Sequence, residues 1–222
     1  MRHELTLGEW VVTSDNSAAI GEKPLDAVQA SDEMTAKFAA RVALLEQWAA
    51  GSEPAAVLLH NFSGETQWAR YVAGIEELFS EIGLTSIQLA GSSETNMETM
   101  QSGVAVTMMG KRIRDRVAEP LEWFVYGMPL AGQEVIEKKE QIADLKKIQQ
   151  AQESGLIERV WPVGSKGIAI EAERLLGKTI EALPAIDVFV SGGPSTCVLI
   201  GGREEKIDEM KNHFGEFFIP LR

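Results

Sequence analysis

Five apolar residues in succession, Ala55-Ala56-Val57-Leu58-Leu59, follow Pro54 and stop at His60-Asn61. A run that short and that continuous suits a buried strand rather than a helix, which needs more length and a period of about 3.6. Helical spacing brackets it on both sides. Upstream, Phe38, Val42, Leu45 and Ala49 mark a helix over 32–50, with Ser31 or Asp32 as its N-cap and Gly51 as its stop. Downstream, Trp68, Val72, Ile75, Phe79 and Ile82 form one face of a second helix that ends at Gly83. Further strands are expected at 10–12, running into the polar loop Thr13-Ser14-Asp15-Asn16-Ser17, at 86–90, and at 103–109, where Val104, Val106 and Met108 alternate with small or polar residues. The first half therefore reads strand, helix, strand, helix, strand, strand.

The second half has a different rhythm. A strand is expected at 121–126, then one highly charged helix over 133–153 with Val135, Ile142, Leu145 and Ile148 along one face. A Gly164-Ser165-Lys166-Gly167 segment, a short helix over 171–176 and a strand at 186–190 lead to the glycine turn Ser191-Gly192-Gly193-Pro194-Ser195. A strand at 196–200, a helix over 204–214 and a strand at 216–220 close the chain. The pattern is α+β, and a domain boundary, if there is one, falls within 111–163.

Charge restricts the partners. A formal net charge of −12 works against recognition of nucleic acid, which draws its affinity from clustered Lys and Arg. A nucleotide remains compatible with an acidic chain where bridging metal ions offset the repulsion. The single cysteine, Cys197, can form no internal disulfide and by itself makes no zinc site, which fits a reducing, cytoplasmic setting. No apolar run approaches the roughly 20 residues of a membrane span.

Three carboxylates carry the candidate chemistry. Asp15, beside Asn16, stands where the first strand gives way to a loop; it reads either as an oxygen ligand for a hard cation or as a turn residue. Glu46 lies among uncharged neighbours on the first helix, which fits either a partnered, buried carboxylate or a solvated helix edge. Glu94 sits in Gly91-Ser92-Ser93-Glu94-Thr95-Asn96, a loop expected after a strand, where backbone amides and hydroxyls would meet phosphate oxygens unless the loop is a plain hairpin. No Walker A or Gly-x-Gly-x-x-Gly pattern is present, so a nucleotide site here uses another architecture. Lys23 is open to a turn or a ligand reading, and Lys166 taken alone reads as a solvated lysine in a glycine turn.

Taken in order, these segments resemble the aminoimidazole ribonucleotide (AIR) synthetase superfamily, which includes thiamine monophosphate kinase and selenophosphate synthetase. Ser14-Asp15-Asn16-Ser17 occupies the place of the family's first-strand Asp-Gly motif, and Arg41 to Glu46 followed by Gly51-Ser52-Glu53-Pro54 resembles its Val-Asn-Asp helix and Gly-Ala-Glu-Pro turn. Ser92-Ser93-Glu94-Thr95 resembles its Gly-Gly-Glu-Thr loop, and Ser191-Gly192-Gly193 a Ser-Gly-Gly turn of thiamine monophosphate kinases. The resemblance implies an AIR-synthase-like ATP-binding and dimerisation domain at 1–112 and a shortened C-terminal domain at 113–222. It implies a homodimer using ATP and Mg2+, with Asp15, Glu46 and Glu94 as metal ligands and Asn16, Ser92, Ser93, Thr95 and Asn96 lining the nucleotide. Lys166 is the only catalytic candidate. The sequence departs from the pattern at Glu46, at the paired serines and at Pro194-Ser195-Thr196-Cys197, which argues against thiamine phosphate as the acceptor. It looks closest to the α-ribazole kinase branch, whose members phosphorylate the 5′-hydroxyl of α-ribazole for the lower ligand of cobamides. Another ATP-dependent enzyme of the superfamily, or a non-catalytic ATP-binding regulator, are the alternatives.

Overall fold

Ser31 starts the first helix as its composition requires: its Oγ accepts a hydrogen bond from Met34 N at 3.2 Å, and α1 runs Asp32–Ala49. The computed structural model describes residues 4–115 and 120–221. It divides into two compact units, Met1–Asp115 and Arg116–Arg222.

In the first unit, β1 (Leu5–Leu7), β2 (Trp10–Ala18), β3 (Ile20–Gly21) and β4 (Val28–Gln29) precede α1; β5 (Ser52–Asn61), α2 (Trp68–Glu81), β6 (Gln88–Ser93) and β7 (Gly103–Arg112) follow it. Five strands form a mixed sheet in the order β1-β2-β7-β5-β6, antiparallel throughout except for the parallel pair β5 and β6, which α2 connects. The short pair β3 and β4 stands apart.

One face of the sheet is covered by α1 and α2. The contact face of α1 differs from the expected stripe: Phe38, Val42 and Ala49 are only partly buried, while Ala36, Ala39, Ala40, Ala43 and Leu44 are sealed. Small side chains let the helix sit low on the strands, and the amide nitrogen of its one buried amide side chain reaches the sheet, while Gln47 Oε1 is buried without a hydrogen-bond partner among the described residues. Gln47 Nε2 lies 3.0 Å from Val11 O, 3.1 Å from Thr13 Oγ1 and 3.1 Å from Met108 O, and Thr13 Oγ1 donates to Ala43 O at 2.8 Å. Along α2 the buried face is Tyr71, Gly74, Ile75, Leu78 and Phe79, and Gly74 lies so near the Glu33 carbonyl of α1 that no Cβ fits between the helices.

The second unit is a four-stranded antiparallel sheet, β11-β8-β10-β9. In chain order its elements are β8 (Glu122–Tyr126), α3 (Glu134–Glu137), α4 (Leu145–Glu153), β9 (Arg159–Pro162), α5 (Gly167–Leu176), β10 (Val198–Gly202), α6 (Ile207–Phe214) and β11 (Phe218–Pro220). Val125, Trp161 and Leu199 pack with Ile168 and Ala172 of α5. Phe124, Phe214 and Phe218 stack in series, with centroids 4.4 Å apart for Phe124 and Phe218 and 4.9 Å for Phe214 and Phe218.

Two expectations fail here. The single helix over 133–153 is interrupted after α3, because Ala143 N is drawn to Thr196 O at 2.8 Å and Asp144 caps a fresh start through Lys147 N at 3.1 Å. The strand at 186–190 does not form; only Leu183 and Ile186 make an isolated bridge. Val188 O instead accepts the α5 amide of Ala169 at 3.0 Å, so this segment caps a helix in place of joining a ladder. Strand β9 was not anticipated. The overall class is a mixed α+β fold.

Candidate nucleotide site

Asp15 is a strand residue, not a loop residue. Every position of β2 from Trp10 to Ala18 pairs with β7, and Asp15 stands opposite Val106. Strand alternation therefore separates the Asp15-Asn16 pair: Asp15 shares the helix-covered face with Val11 and Thr13, and Asn16 points to the other face and is exposed. The row across the sheet at Asp15 continues through Val106, Leu59 and Gly91, an apolar setting for a carboxylate. Burial pushes its pKa up to about 7, against the smaller opposing pull of the Asn16 backbone hydrogen bond.

The Gly91–Asn96 segment is likewise half strand. Gly91, Ser92 and Ser93 belong to β6, and Gly91 is required because a Cβ there would run into the Leu59 carbonyl of β5. Ser92 lies on the open face opposite His60, whereas Ser93 shares the covered face. Asn61 organises the strand end. Its Nδ2 donates to Ser93 Oγ at 3.0 Å and to Gly64 O at 2.6 Å, its Oδ1 accepts from Ser63 N at 2.9 Å, and its carbonyl accepts from Glu94 N at 2.8 Å. Glu94 then turns on its own loop: Oε1 accepts from Asn96 N at 2.7 Å and Met97 N at 3.1 Å. The Asn96 amide, one of the loop amides expected to face a phosphate, is thus already engaged, while Thr95 and Asn96 are exposed.

Glu46 is 4% exposed within α1, and it interacts within the fold. Asp15 and Glu94 belong to opposite sides of the sheet's polar end, since β2 and β6 are three strand spacings apart, about 14 Å. Among the described residues no group of three or more His, Cys, Asp or Glu side chains gathers to hold a metal ion. Lys166 belongs to the second unit, exposed just before α5. The Ser191–Ser195 turn is held from inside: Ser191 Oγ accepts from Gly193 N at 3.0 Å, and buried Thr196 Oγ1 bridges Met128 O at 2.8 Å and Leu130 N at 2.9 Å.

Sequence reading passed over the charged residues that frame this end of the sheet. Asp32, read only as a cap, is fully buried and pairs with Arg70 Nη2 at 2.6 Å, and Arg70 also meets Glu22 at 3.4 Å. Burial raises the Asp32 pKa and Arg70 opposes the rise. Asp26 is buried too, with Ser102 as its partner. The cue was available in composition: three acidic residues, Glu22, Asp26 and Asp32, fall in one short stretch with a single basic residue, Lys23.

No protein-family model matches the sequence, and no curated protein matches it. Solved structures do. A hydrogenase maturation protein HypE aligns over 98% of this chain and 80% of its own at a TM-score of 0.65 and 11% identity. The ThiL protein of Aquifex aeolicus, a thiamine monophosphate kinase solved with AMPPCP and TMP, aligns over 98% of this chain and 82% of its own at 0.61 and 12% identity. T. maritima PurL complexed with AMPPCP aligns over 98% of this chain and 42% of its own at 0.59 and 13% identity. At these identities the likeness is one of architecture, and on that ground the chain has the AIR-synthase-like fold in a shortened version.

Proposed function

We propose that this protein binds ATP with magnesium at the polar end of the first unit's sheet and transfers the γ-phosphoryl group to a hydroxyl of a small molecule. The observation that carries this reading is Asp15: a carboxyl held on a strand, against apolar neighbours, with its pKa raised to about 7. Such a group gains most from a cation brought to it. The neighbours solved with AMPPCP, a non-hydrolysable ATP analogue, lend support through their shared fold.

Magnesium is usually held by one or two carboxylates together with substrate phosphates rather than by an all-protein cage. Asp15 suits that role, with Glu94 across the sheet end as the second carboxylate facing an extended polyphosphate. Glu46, sealed in α1, is not assigned to the ion. Bound magnesium would neutralise phosphate charge. The protein's own part is positioning: Ser93, Thr95 and Asn96 border the Glu94 end, Asn61 fixes Ser93, and α1 and α2 keep water from the Asp15 side. In the transfer, the bond from the γ-phosphorus to the β–γ bridging oxygen breaks, one to the acceptor oxygen forms, and the hydroxyl proton leaves to solvent.

The acceptor we favour is the 5′-hydroxyl of α-ribazole, on the strength of the sequence resemblance. Incubating the protein with Mg-ATP and either α-ribazole or thiamine monophosphate, and following ADP with the phosphorylated product, tests it. ADP formed only with α-ribazole is the expected result. ADP formed with neither, despite bound nucleotide, would favour a binding regulator.

We also propose a homodimer built on the sheet face that the helices leave open. Leu5, Leu7 and Trp10 are exposed there, next to partly buried Val12, Leu58 and Met109. Within the apolar run 55–59, Ala56 and Leu58 look away from the helices and add to this open apolar face.

A further inference from the structure

The 19–29 and 94–102 segments are fastened to each other by side chains that the proposed chemistry does not use. Lys23 Nζ donates to both the carbonyl oxygen and Oγ1 of Thr99, each at 2.6 Å, and Thr99 Oγ1 in turn donates to Phe62 O at 2.9 Å. Asp26 is 8% exposed and gives both oxygens to this fastening. Its Oδ1 accepts from Ser102 N at 2.7 Å, and its Oδ2 accepts from Ser102 Oγ at 2.7 Å and from Lys23 N at 2.9 Å. Gln101 Nε2 donates to Leu25 O at 2.6 Å, and Ala19 N donates to Ser102 O at 2.9 Å. Gly21 permits the approach, for a Cβ at that position would come within 2.6 Å of Ser102 Cβ.

The 94–102 segment begins with Glu94 and carries Thr95 and Asn96, so whatever holds its far end also sets the geometry of its near end. Two charged side chains, one of them buried, spend their hydrogen bonds across a loop-to-loop junction. A charge in that position strengthens each bond and makes the junction directional. We infer that Lys23 and Asp26 are positioning residues: a clasp that holds the Glu94 segment in its ligand-binding geometry before nucleotide arrives. This rests on the nucleotide reading of that segment. The physical gain is preorganisation, since a loop already ordered has less freedom to lose on binding. If losing the clasp reduces the binding-competent fraction to about a tenth, the apparent Kd rises about tenfold.

The test compares the full-length protein with Lys23→Met, Thr99→Val and Lys23→Arg by two measurements. Amide hydrogen exchange without any ligand reads the clasp, and calorimetric titration with Mg-ATP reads its consequence. In Lys23→Met, exchange over 94–102 is expected to speed by about tenfold while the amides of α1 and β5 are unchanged, and the Kd for Mg-ATP is expected to rise about tenfold. Thr99→Val should move both readouts in the same direction, and Lys23→Arg, which keeps a donor, should restore most of each. Unchanged exchange over 94–102 in both Lys23→Met and Thr99→Val would overturn the inference. So would lost affinity with unchanged exchange, which would place Lys23 on the nucleotide itself. Failure of the unmodified protein to bind Mg-ATP would count against the nucleotide reading instead, and is told apart because the exchange comparison needs no ligand.

Discussion

The two faces of the first unit's sheet are built from the same strands and obey different rules. On the face under α1 and α2, Val11, Val57, Leu59, Val106 and Met108 are sealed to 1% exposure or less, and Thr13 among them donates its hydroxyl to Ala43 O. On the other face, Leu5 at 57%, Leu7 at 58% and Trp10 at 40% stand open beside half-buried Leu58 and Met109. A face that is finished holds the fold together; a face that is apolar and unfinished asks for a partner. The strand β5 shows both at once, since its unbroken apolar run serves the core through Val57 and Leu59 and the open face through Ala56 and Leu58.

Substitutions on the two faces should separate stability from association. The largest effect is expected from Leu59→Ala, which empties a fully buried position and should lower unfolding free energy by about 2–5 kcal/mol in denaturant titration. On the open face, a Leu7→Asp, Trp10→Asp double variant should leave the monomer's unfolding nearly unaltered and weaken self-association by about a hundredfold, seen as a shift from dimer to monomer in light scattering. Equal loss of stability from both would erase the distinction between the faces.

A smaller effect tests the boundary between them, where Asp15 places a carboxyl on the covered face. Its folded pKa, about 7, lies above its unfolded value near 3.8, so the folded state holds the proton more tightly. The linked stability is complete below the unfolded pKa, declines as pH rises between the two values, and is lost once pH passes about 7. Asp15→Asn, which cannot ionise, should therefore show a flatter stability profile between pH 5 and 8 than the unmodified protein, with the variant relatively more stable at the alkaline end. Parallel profiles would mean that Asp15 is not desolvated.

The covered face was largely legible in the sequence because periodicity records burial. Helices α1 and α2 and the strands β5 and β7 follow from it. Where it misled, tertiary contacts had overruled local preference. Thr13-Ser14-Asp15-Asn16-Ser17 is a poor strand by composition, yet pairing with β7 at every residue extends it. In α1 the large apolar residues Phe38 and Val42 drew attention from the alanines that touch the sheet. The site was legible only as a set of residues. That Glu46 is sealed in α1, that Glu94 closes on its own loop, and that Lys23 and Asp26 reach across to Thr99 and Ser102 depend on contacts between residues up to 76 positions apart, which no local pattern encodes.

The central claim is that Asp15 receives a nucleotide-bound cation, and calorimetric titration of Mg-ATP into the unmodified protein and into Asp15→Asn, at pH 6 and pH 8, addresses it most directly. Because the carboxyl ionises through about 7, binding should be severalfold tighter at pH 8 than at pH 6 in the unmodified protein, and weak and nearly independent of pH in Asp15→Asn. Equal affinity of the two proteins at pH 8 would contradict the account.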